Sequence, residues 1–103
     1  MTKLVDLAKV LRSKNSGPFE ITLDILFEDQ NVYKRVESSG AISKKSIATL
    51  YQLQEEEITN IIFFKKALGI KITYSRKISS GTIGDRDVYG AQQHAPLMDI
   101  LIP

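Results

Sequence analysis

Ile21-Thr22-Leu23-Asp24-Ile25-Leu26-Phe27 is the stretch that decides the fold class. On an extended backbone successive side chains alternate, so Ile21, Leu23, Ile25 and Phe27 share one face while Thr22 and Asp24 share the other. This is a half-buried strand, and helical signals follow it directly. Asp29 offers an N-cap oxygen, Asn31 to Ser38 predict a short helix carrying Val32 and Val36 inward, and Gly40 is free to adopt the left-handed conformation that ends many helices. Ser43 is a second N-cap, and the helix after it predicts Ile47, Leu50 and Tyr51 on one side.

Further along, the composition returns to strand. Ile58 to Phe64 is rich in β-branched and aromatic residues, and Ile70, Ile72 and Tyr74 alternate with Lys71, Thr73 and Ser75. Lys65 to Gly69 is short enough to join the two as a hairpin. Phe63 and Phe64 fall on opposite faces of their strand, so one of them is expected to meet a second layer or a partner chain. Leu97 to Ile102 predicts a last strand. At the N-terminus the pattern stays open: Leu4, Leu7, Ala8 and Leu11 fit a helical stripe, and Leu7 to Leu11 also fits a strand. Strands grouped around a central helical block predict an α+β fold, a two-layer sandwich with a mainly antiparallel sheet and helices on one face. With 103 residues, no repeat and no linker, a single domain over residues 1–103 is expected.

Composition narrows the function. Hydrophobic residues make up 43% and charged residues 25%, an ordinary balance for a packed domain. Lys and Arg number 14 against 12 Asp and Glu, and a net charge of +2 is too small to mark a dedicated nucleic-acid binder. The absence of cysteine excludes disulfides, zinc knuckles, iron–sulfur clusters and thiol nucleophiles. Met1 to Asp6 lacks the apolar run of a signal peptide, and no stretch approaches the ~20 apolar residues that cross a bilayer, so a cytoplasmic protein without membrane contact is expected.

Two polar stretches are candidates for chemistry. Arg12-Ser13-Lys14-Asn15-Ser16-Gly17-Pro18 gathers two cations, an amide, hydroxyls and a flexible glycine just ahead of the Ile21 strand. Such a loop holds a carboxylate or phosphate through backbone N–H groups and side-chain donors, with Arg12, Lys14 and Asn15 as anion ligands. The plainer reading, a solvated turn in which Asn15 and Gly17 permit the bend, stands beside it. The GxxxxGK[ST] spacing of a P-loop is absent.

The second stretch runs from Ser79 to Pro96 and contains Gly81, Gly84, Asp85, Asp87, Gly90, Gln92, Gln93 and the single histidine, His94. Connections longer than ~12–15 residues are uncommon in compact domains and are often functional. Asp85 and Asp87, two apart, face one side of an extended backbone, and with His94 they would supply a general base or part of a hard-metal site. The plainer role for His94 is a hydrogen bond from the loop to the body of the domain. A transition metal held within one chain is not expected, with no cysteine and one imidazole. Neither GxGxxG nor GxSxG occurs, and Glu55-Glu56-Glu57 reads as a solvated acidic patch ahead of the Ile58 strand rather than as paired acid and base.

Asp6 to Glu20 running into Leu23 to Phe27, followed later by Gly84-Asp85-Arg86-Asp87-Val88-Tyr89-Gly90 and Ala91-Gln92-Gln93-His94-Ala95-Pro96, resembles a family of small bacterial and archaeal proteins known as a domain of unknown function. Members of that family tend to accompany AtuA-type (acyclic terpene utilisation) proteins. The family is similar in turn to the small ferredoxin-fold domain that ends many AtuA-type chains, where an ARSGDKG-like turn stands in place of Arg12 to Gly17. Lys14-Asn15-Ser16 departs from that turn, so its ligand details do not carry across.

The resemblance implies a ferredoxin-like sandwich and moves the N-terminal segment towards strand, with Arg12 to Pro18 as a turn between two paired strands. It also implies a subunit, docking on a large AtuA-type partner and completing a carboxylate or acyl-CoA site. In that site Arg12, Lys14, Asn15, Gln92 and Gln93 would bind ligand, and Asp85, Asp87 and His94 would handle protons or a metal. Two other expectations stand beside it: a homo-oligomeric lyase or hydratase acting alone, and a chain that only stabilises its partner. No cofactor is implied.

Overall fold

The computed structural model describes residues 1–17, 19–75 and 95–103. A four-stranded antiparallel sheet forms its centre. β2 (Val10–Gly17) and β3 (Glu20–Leu26) make one hairpin, β4 (Ile58–Phe64) and β5 (Gly69–Ser75) make another, and the strand order is β2-β3-β5-β4. Since β3 and β4 each run antiparallel to β5, they run parallel to one another with β5 between them. The chain from β3 to β4 passes through α2 (Gln30–Ser39) and α3 (Lys44–Tyr51). That split βαβ is the ferredoxin-like element. The outermost strand beside β3 comes from the N-terminal hairpin.

Local signals set the helices as expected. The Asp29 carboxylate accepts from the Asn31 N–H at 2.7 Å, and Gly40 ends α2 at φ 73°. The Ser43 hydroxyl accepts from the Ser46 N–H at 3.1 Å, while Ser46 Oγ accepts from the Ser43 N–H at 3.0 Å and lies 2.7 Å from the Ala41 carbonyl oxygen as its donor. The Asn31 and Ser46 N–H groups are thereby satisfied where the first helical turn leaves them without a backbone partner.

The core lies between the helices and one sheet face. Ile21, Leu23 and Ile25 of β3 and Ile70, Ile72 and Tyr74 of β5 are buried there with Tyr33 and Val36 of α2 and Ile47 and Ala48 of α3. Phe63 packs against this core, whereas Phe64 points to the opposite face. Tyr33, not singled out by periodicity, is fully buried and meets the Phe27 ring edge-on, with centroids 6.1 Å apart. Leu50 departs from expectation. It stays exposed because the side of α3 that meets the sheet is centred on Ile47 and Ala48.

The termini close the structure differently from the sequence reading. The N-terminal segment is helix and then strand: α1 spans Leu4–Leu7 and β2 begins at Val10. Arg12 to Gly17 is therefore paired strand rather than turn, Arg12 lying opposite Asp24 and Lys14 opposite Thr22. Leu97 to Ile102 is not one strand. A 3-10 turn, Ala95–Asp99, buries Leu97, and only β6 (Leu101–Ile102) is extended, paired with β1 (Thr2–Lys3) in a separate two-stranded sheet. Arg35 ties this small sheet to α2, donating to the carbonyls of Pro103 at 2.9 Å and Ile102 at 3.3 Å and to the Thr2 hydroxyl at 3.0 Å. No helix among the described residues is long and apolar enough to cross a membrane.

Candidate functional site at the hairpin end of the sheet

Register decides what each predicted ligand residue faces. Leu11, Ser13 and Asn15 align with Ile25, Leu23 and Ile21, so they belong to the helix-covered face of the sheet. Arg12 and Lys14 align with Asp24 and Thr22, on the opposite face. Alternation along β2 thus brings Arg12 and Lys14 together and sends Asn15 to the other side. Arg12 Nε donates to Asp24 Oδ2 at 3.0 Å, with the Asp24 side chain 14% exposed against 59% for Arg12. The carboxylate is held inside the row while the guanidinium reaches over it. Lys14 is exposed and, among the described residues, has no ion-pair partner.

A shallow cavity of about 330 Å³, wide open to solvent, lies at the hairpin end, lined by Gly17, Phe19, Glu20 and Ser75. Phe19 is 56% exposed at the tip. The Glu20 carboxylate accepts from the Ser16 hydroxyl at 3.3 Å. One step inward, Tyr74 sits in the row that holds Asn15 and Ile21, and its ring lies 5.3 Å from that of Tyr51. Burial first, and then the neighbouring Tyr74, raises the Tyr51 phenol far above its usual range, so the hydroxyl stays protonated. The chemistry of this end is hydrogen bonding and apolar contact beside one exposed cation.

Ser75, which pairs with Glu20, is the last described residue before the polar stretch. The described chain resumes at Ala95, in the 3-10 turn packed on α1, which leads into the Val10 end of β2. Asp85, Asp87, Gln92, Gln93 and His94 lie outside the described residues. Among the described residues no cluster of three or more His, Asp or Glu side chains is placed to hold a metal ion.

Sequence reasoning missed Phe19, Glu20 and Ser75 as cavity residues, because each reads as the ordinary end of a strand. A signal did exist: the alternation of Ile70, Ile72 and Tyr74 with Lys71, Thr73 and Ser75 stops at Ser75, which marks that residue as a strand end. These features define a small α+β domain. Residues 4–101 match the family described as Domain of unknown function (DUF4387), and the chain belongs to that family. No curated protein and no solved structure matches it.

Proposed function

We propose that the chain is an accessory subunit that docks on a large AtuA-type protein and lends the hairpin end of its sheet to a carboxylate or acyl-CoA metabolite. The observation that supports this reading is the hairpin end itself, where the exposed Lys14 and the 56% exposed Phe19 stand by the cavity lined by Gly17, Phe19, Glu20 and Ser75. In this reading Lys14 and Asn15 reach the ligand around the two faces of one edge strand. Arg12, drawn towards Asp24, contributes field more than contact. Asp85 and Asp87 move protons in this reading, and no role at this end is given to Gln92, Gln93 or His94, because the described chain resumes at Ala95 by the opposite end of β2. The exposed Phe19 ring is the element that a larger partner would cover.

The test is co-expression with an AtuA-type protein, followed by titration of the labelled chain with a short hydroxy acid and with its CoA thioester. Amide shifts confined to Lys14–Glu20 and Ser75, strengthened by the partner and weakened about tenfold in Lys14→Ala, support the reading. Separate elution of the two proteins, together with silent amides at those positions, overturns it. Turnover of a hydroxy acid or enoyl substrate by the chain alone would instead establish the homo-oligomeric lyase or hydratase. Unchanged activity of the complex in Asp85→Ala/His94→Ala would leave a purely stabilising role.

A further inference from the structure

The far edge of the sheet carries a second feature, independent of the hairpin end. β4 is an edge strand: one side pairs with β5, and the other has no strand beside it among the described residues. An unpaired edge presents a row of N–H and C=O groups, and proteins ordinarily blunt such edges with lysine, proline or short length. β4 has seven residues, Ile58-Thr59-Asn60-Ile61-Ile62-Phe63-Phe64, with no charge and no proline. Its one irregularity is the bulge between Ile58 and Asn60. On the sheet face away from the helices Ile62 is 40% and Phe64 45% exposed, next to the half-buried Leu26 beside Gly69.

The charges flanking this strand are sorted by end. Glu55-Glu56-Glu57 precedes it and Lys65-Lys66 follows it. We infer that β4 pairs antiparallel with β4 of a second copy of this chain, making one eight-stranded sheet across a two-fold axis near Ile61. Antiparallel pairing about Ile61 brings the 3-10 turn Glu55–Glu57 of one copy to the strand end that Lys65 and Lys66 follow in the other. The bulge shifts these ends by about one residue and leaves an acidic triplet facing a basic pair. Parallel pairing would place like charges side by side, so the charge pattern selects the two-fold arrangement. The same pairing sets Ile62 of each copy opposite Asn60 of the other, so the two Ile62 side chains are diagonal neighbours on one face. A seven-residue strand is about 23 Å long, a modest contact.

Sedimentation equilibrium and light scattering of the full chain test this inference. The expected result is a concentration-dependent dimer. Ile62→Lys, at an exposed site that leaves the core intact, should raise the dimer Kd by about tenfold or more while the circular dichroism spectrum is preserved. Lys65→Glu/Lys66→Glu and Glu55→Lys/Glu56→Lys should each favour the monomer, and an equimolar mixture of the two should restore a dimer as the heterodimer. A strict monomer at every attainable concentration overturns the inference. So does a dimer indifferent to all three variants, or a mixture that fails to recover pairing.

Discussion

Replacing Arg35 with alanine separates the hold on the terminal strands from the packing beneath them. The guanidinium makes three hydrogen bonds, to Pro103, Ile102 and Thr2, and they join α2 to both strands of a sheet with only two registered pairs. Each bond contributes about 0.5–1.5 kcal/mol net, and releasing an exposed arginine returns up to about 2 kcal/mol of side-chain entropy. The net loss is therefore about 1–2 kcal/mol. Detaching the small sheet outright would expose Leu4, Leu97 and Ile102, all fully buried, at about 1.5–3 kcal/mol each. Packing thus outweighs the clamp, and the variant should fray at the termini rather than release them. Urea denaturation should report the 1–2 kcal/mol loss as a lower midpoint with an unchanged slope, and the midpoint temperature should fall by about 4–8 °C per kcal/mol. Hydrogen exchange should quicken at the Leu4 amide, which donates to the Ile100 carbonyl at 2.7 Å, with the β3 and β5 amides changing only as global stability does. Wild-type stability together with unchanged Leu4 protection would refute the clamp. A loss above about 4 kcal/mol would refute the claim that packing dominates.

Ser46→Ala removes both the acceptor for the Ser43 N–H and the donor to the Ala41 carbonyl, and should cost about 1–2 kcal/mol in chemical denaturation. Gln52 ends α3 in the left-handed region at φ 57°, so Gln52→Gly should stabilise the chain by about 1 kcal/mol in the same assay. Above pH 10 the unfolded chain releases the Tyr51 proton that the folded chain retains. Stability should therefore be level below the ordinary tyrosine value of 10.0 and fall above it by at most about 1.4 kcal/mol per pH unit from this residue, a slope that Tyr51→Phe should reduce. Arg12→Ala should cost less than about 1 kcal/mol, because its mostly exposed charge is screened; a larger loss on thermal melting would show the Asp24 pair to be structural.

Much of the helical layer was legible residue by residue. Asp29, Gly40 and Ser43 act within three or four residues of themselves, and their caps form where the sequence places them. The candidate site was legible only in part. The composition of Arg12 to Gly17 marks it as polar, yet polarity alone does not separate a turn from an edge strand, whose side chains are half in solvent. Alternation then divides the expected anion ligands between two faces, a division that no count of cations and amides reveals.

Taken alone, the sequence determined the strands at Ile21, Ile58 and Ile70, the two helices between the first and second of them, and the hairpin at Lys65 to Gly69. These depend on side-chain period and on hydrogen bonds between near neighbours. Tertiary structure decided that β5 inserts between β3 and β4, that Ser75 arrives beside Glu20, that Leu50 stays outside, and that two residues at each terminus pair. Those outcomes depend on which distant backbone groups meet and which apolar face is already covered, and a local window of sequence carries neither quantity.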